Sequence, residues 1–88
     1  MKWINLRPWQ EARGIVSEVQ VDSEVIIFTF NFLVEKVKLE IPLHSTNGIN
    51  QDFKQLFGNL VSILRTERKF HIRTIEPARR VVVEEVRY

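Results

Sequence analysis

The chain has 88 residues, 44 % of them hydrophobic and 27 % charged, which suits one globular domain and no more. Its net charge is +2 and its pI about 9.3, a mild basic balance compatible with nucleic acid or an acidic partner. It contains no cysteine, which excludes disulfides, thiolate metal sites and thiol catalysis.

No stretch pairs a basic region with a long apolar one as a secretory leader does. None approaches the roughly 20 apolar residues that cross a bilayer. The expectation is an intracellular, cytoplasmic protein with no membrane partner.

Residues 1–11 (MKWINLRPWQE) carry both tryptophans, Trp3 and Trp9, around Pro8. Proline argues against a regular helix here, so this segment is expected to be an extended N-terminal arm. From Ala12 to Val21, Ile15, Ser17, Val19 and Val21 alternate loosely on one side of a first strand, with Gly14 a candidate bulge. Asp22-Ser23 is turn chemistry.

A second strand runs from Glu24 to Phe32. Its alternation sets Ile26, Phe28, Phe30 and Phe32 on one side and Val25, Ile27, Thr29, Asn31 and Leu33 on the other. The first set is uniformly large and apolar and is predicted to face inward. Exposing three such rings forfeits about 1.5 to 3 kcal/mol each, which a domain of this size does not have to spare. The third strand, Glu35 to Ile41, alternates most cleanly: Val37, Leu39 and Ile41 inward, Lys36, Lys38 and Glu40 outward.

Pro42 ends that strand, and His44 to Gly48 is loop chemistry. A short helix is predicted from Gln51 to Phe57, with Asn50 as its N-cap and Phe53, Leu56 and Phe57 as its apolar stripe. Gly58-Asn59 stops it. Leu60 to Thr66 and Lys69 to Ile75 read as two more strands joined by a tight turn at Glu67-Arg68. Phe70 and Ile72 then face inward, and Lys69, His71 and Arg73 outward. After the Glu76-Pro77-Ala78 turn, residues 79–88 read as an extra C-terminal β-segment, rich in valine.

The element order is three strands, a short helix, two strands and a further β-segment. It defines an all-β fold with one short helix, expected as a small barrel of five to six strands. Across residues 12–75 it resembles the OB superfold, whose helix lies between the third and fourth strands. A small SH3-like barrel is the alternative.

The resemblance implies that the third and fifth strands close the barrel, which would bring Lys36 and Lys38 beside Lys69, His71 and Arg73. From Arg65 onward seven Lys and Arg stand against four acids. The candidate nucleic-acid-binding residues are therefore Lys36, Lys38, Arg65, Arg68, Lys69, His71 and Arg73, with Trp3 as a stacking residue. Trp9 is expected to pack over the barrel end.

Only two histidines occur, His44 and His71, without further ligands at metal spacing. No nucleophile elbow, phosphate loop or dinucleotide fingerprint appears. The expected function is a non-enzymatic module without cofactor or metal that binds nucleic acid, single-stranded rather than duplex. The alternative is a protein-interaction subunit, as a homodimer or a component of a larger complex.

Overall fold

The computed structural model describes residues 2–32, 35–46 and 52–77. Among the described residues six strands form one sheet: β1 (Lys2–Ile4), β2 (Glu11–Val21), β3 (Val25–Phe32), β4 (Glu35–Pro42), β5 (Leu60–Arg65) and β6 (Phe70–Glu76). Their order is β1-β4-β3-β2-β5-β6. The contacts between β2 and β3, β3 and β4, β2 and β5, and β5 and β6 are all antiparallel. The long β2 serves two partners, with residues 11–15 on β5 and 15–21 on β3. The result is a small all-β, barrel-like fold. The predicted C-terminal segment, residues 79–88, lies outside the described residues.

Period-two alternation builds the core. Ile26, Phe28 and Phe30 of β3 are fully buried, as are Leu39 and Ile41 of β4 and Val61 and Ile63 of β5. The Phe28 and Phe30 rings lie 6.1 Å apart, and Phe28 meets Phe53 edge-on at 6.4 Å, geometries that add to simple burial. The inward reading of Phe28 and Phe30 holds; the side chain of Phe32 lies outside the described residues.

The register between β2 and β3 slips between Val16 and Glu18, a bulge at Ser17. The extra residue inverts the alternation. Ala12, Gly14 and Val16 face inward before it, while Val19 and Val21 pair with the inward Phe28 and Ile26 after it. Ile15 was expected on the side of Val19 and Val21; it points outward instead and is 51 % exposed. The bulge falls at Ser17 and not at Gly14. Ser17 Oγ donates to the carbonyl of Thr29 at 3.2 Å.

The predicted helix is a 3₁₀ turn, Phe53–Leu56, capped by Asp52, whose side chain accepts from the Lys54 amide. With three residues per turn, positions i and i+3 share a face and i+4 does not. Phe53 and Leu56 are therefore buried, and Phe57 is exposed, against expectation. The two buried side chains join the core cluster beside Val16 and Phe28. Gly58, at φ 82°, reverses the chain and donates to the Val16 carbonyl, while Val16 donates to that of Asn59. The positive φ is the reason for glycine at this point.

The largest departure concerns closure. Among the described residues β4 and β6 do not pair; an isolated parallel bridge joins Thr46, beyond the end of β4, to Phe70 at the start of β6. The edge of β4 beside Val37 to Leu39 is taken by the N-terminal arm, with β1 running parallel to it. The arm then reaches the end of β5. Leu6 enters the core with Ile4 packed against it, and Arg65 donates from its guanidinium to the Leu6 carbonyl.

Candidate nucleic-acid interface

The arm decides which outward side chains meet. Parallel register sets Trp3 against Lys38, and Lys38 is in turn opposite Thr29, which is opposite Glu18. Directly paired residues share a face of the sheet. The outer surface of β1, β4, β3 and β2 therefore carries the row Trp3, Lys38, Thr29, Glu18. The Lys38 ammonium lies 5.7 Å from the Trp3 ring centroid, within cation–π range. Trp3 remains 55 % exposed. Thr29 is buried although it points outward, because the longer Lys38 and Glu18 flank it.

The next row is Lys36, Asn31, Ile15 and Leu60. Lys36, Asn31 and Ile15 are exposed. Together the two rows offer an indole ring, two ammonium groups and a small amide on one open strand face, with the Glu18 carboxylate at its β2 end. Three of the sequence-predicted residues, Trp3, Lys36 and Lys38, are brought together here.

The other predicted residues fall elsewhere. His71 and Arg73 lie on the outer face of β6, where Arg73 pairs with Ser62 and Ser62 with Arg13 of β2. They do not adjoin Lys36 and Lys38, contrary to expectation, because β1 holds the β4 edge that a closing β6 would need. Lys38 and Arg73 stand four strand positions apart, roughly 19 Å across the sheet at the usual spacing. Arg68 and Lys69 lie in the exposed β5–β6 turn, fastened by reciprocal bonds between Thr66 and Lys69.

Arg65 is half-buried and engaged internally. It holds the Leu6 carbonyl, and its guanidinium lies 5.6 Å from the Phe70 ring centroid. Its backbone accepts from the Trp9 amide and donates to the Gln10 carbonyl. Its place is in the clamp of the arm, not on an open face.

Trp9 does not cover the barrel end. It is 65 % exposed and has a φ of 68°. Arg7-Pro8-Trp9-Gln10 is a turn, with the Gln10 amide bonded to the Arg7 carbonyl and the Arg7 amide to the Gln10 side chain. Pro at the second position and positive φ at the third are type II geometry, which ordinarily takes glycine where Trp9 stands.

Arg13 was missed at the level of sequence. It lies 58 % exposed between Glu11 and the Ser62–Arg73 row, and its Nε donates to Glu11 Oε1. Hydrogen bonding from Arg13 holds the Glu11 carboxyl below the usual glutamate range. The Ser62 hydroxyl and the charges of Arg13 and Arg73 act in the same direction, while partial burial opposes them. The signal in the sequence was the Glu-x-Arg spacing, which puts both side chains on one side of a strand.

Among the described residues, no three His, Cys, Asp or Glu side chains group as metal ligands would, and no helix is long and apolar enough to cross a membrane. In comparisons with known proteins, no family model matches the chain, and no curated protein and no solved structure is significantly similar to it.

Proposed function

We propose that this protein is a non-enzymatic, OB-like module that binds a single strand of DNA or RNA on the outer face of β1, β4 and β3. One observation carries the reading: an exposed tryptophan is held in register beside Lys38, with Lys36 and Asn31 in the adjoining row. Bases stack on an aromatic ring irrespective of sequence, and ammonium groups track the phosphates. The strands β2 to β6 follow the pairing order of the OB barrel apart from its closure, and β3 with β4 correspond to the strands on which such barrels take oligonucleotides. The open face of a strand sheet also suits unpaired bases better than a duplex groove.

The test is fluorescence anisotropy with a labelled oligonucleotide at two salt concentrations. Binding that is measurable at about 50 mM salt and weakens steeply at higher salt supports the reading, because bound phosphates release counterions. Absence of binding at the lower salt removes it.

A second reading, a protein-interaction subunit, draws on a different observation. Among the described residues β6 is the last strand of the sheet order, its outer edge bridged at Phe70 by Thr46, and the exposed Ile75 lies further along it; a strand edge of this kind accepts a strand from another chain. Light scattering that finds a strict monomer at high concentration removes its homodimer form.

A further inference from the structure

We propose that the outer face of β2, β5 and β6 holds a second phosphate site, in which the Glu11 carboxylate is an internal competitor that the incoming phosphate displaces. The inference rests on the single-strand reading above and extends it to the opposite half of the sheet.

The site is a shallow groove lined by Glu11, Ser62, Leu64, His71 and Arg73. Register builds it. Arg13, Ser62 and Arg73 form one row, and Glu11, Leu64 and His71 the next. Ser62 is only 3 % exposed although its side chain points outward, so it is the floor between two arginines. Arg13 donates to the Glu11 carboxylate, and the Ser62 hydroxyl and the Arg73 charge favour the same anion. Ser62 and the two arginines thus share one outer face with a single carboxylate, to which Arg13 is bonded directly.

That carboxylate is supplied by the chain itself, two residues from Arg13 on the same strand. A phosphodiester carries the same charge, and its oxygens suit the planar donor fork of arginine. The ion pair lies at the surface, where such pairs are weakly held. Glu11 can therefore swing away without breaking a core contact. The remaining arginine and serine donors are already in place.

The site is continuous with the first one. Ile15, exposed in the row with Lys36 and Asn31, is two residues along β2 from Arg13. A strand that leaves Trp3 and Lys36 and crosses Ile15 arrives between Arg13 and Arg73. The path covers roughly 19 Å across four strand spacings, in keeping with a site of about four nucleotides or more.

The experiment compares the full chain with Glu11→Gln, Glu24→Gln and the double variant Glu11→Gln with Arg73→Ala, using a labelled oligo(dT) of about 15 nucleotides, near the upper end of OB site sizes. Glu24 lies exposed in the turn before β3 and controls for the charge change alone. Glu11→Gln is expected to tighten binding about three- to tenfold, Glu24→Gln less than twofold, and Arg73→Ala to abolish the gain. If the wild type binds and Glu11→Gln matches Glu24→Gln, the second site is refuted and the single-strand reading stands. If the wild type does not bind, that reading falls. Amide shifts on adding sodium pyrophosphate then decide the site: shifts at Arg13, Ser62 and Arg73 that grow in Glu11→Gln support it, and their absence in both proteins overturns it.

Discussion

Trp3 and Lys38 are partners across a parallel pairing, with the lysine ammonium 5.7 Å from the indole centroid. The contact joins residues that are far apart in the chain and depends on the N-terminal arm occupying the β4 edge. The candidate interface and the closure of the fold thus share one cause, and substitutions in the arm and in the core should separate their effects.

Phe30→Ala removes a fully buried ring that packs 6.1 Å from Phe28. A cavity of that size is expected to cost about 3 to 5 kcal/mol. Urea denaturation checks this, with the midpoint falling and the slope unchanged. A loss under about 1 kcal/mol would mean that β3 does not line the core, since full burial of such a ring is worth more than that.

Arg65→Ala should loosen the arm. It removes the donor to the Leu6 carbonyl and the cation over Phe70. A charge-assisted hydrogen bond contributes about 1.5 to 3 kcal/mol; the half-buried setting of Arg65 places the expected loss at the lower end of that range. Hydrogen exchange should quicken at the amides of residues 2–10 before those of β3 and β5. Unchanged exchange in the arm would refute its role as a clamp.

Trp9→Gly should stabilise the fold by about 1 kcal/mol, because a residue with a Cβ in the left-handed region carries roughly that strain. The side chain is exposed, so little packing is lost. The check is thermal unfolding; a lower melting temperature would show that the indole makes a stabilising contact.

Glu11 should titrate below the ordinary glutamate range, with Arg13 as the principal cause. Its folded pKa is depressed, so its contribution to stability is present above the unfolded value and is lost as pH falls through the folded one. Carboxyl chemical shifts followed from neutral to acid pH test this. In Arg13→Ala the midpoint should move upward, and a midpoint that stays put would contradict the assigned cause.

Much of the core was readable in advance, because β3 and β4 alternate strictly and each has one uniformly apolar side. The bulge at Ser17 was not, since nothing local marks it and Gly14 offered a more conventional signal three residues earlier; Ile15 was misplaced as a result. Phe57 was misassigned because an α-helical stripe and a 3₁₀ turn share positions 53 and 56 and differ only at 57. The closure of the barrel depends on competition for one strand edge, a long-range event that the pattern of either segment does not contain. For the same reason Lys38 of β4 found an aromatic neighbour in Trp3 and not the cations of β6. Arg65 looked like one more surface cation because its use is set by a carbonyl 59 positions away in the chain.

The stacking role proposed for Trp3 is the point on which the functional account stands, and the affinity of Trp3→Ala for a single-stranded oligonucleotide, measured at two salt concentrations, tests it most directly. Loss of one stacked base should weaken binding by about 1 to 3 kcal/mol, with the salt dependence retained because the phosphate contacts remain. Affinity equal to that of the wild type, in a variant that stays folded, would contradict the account.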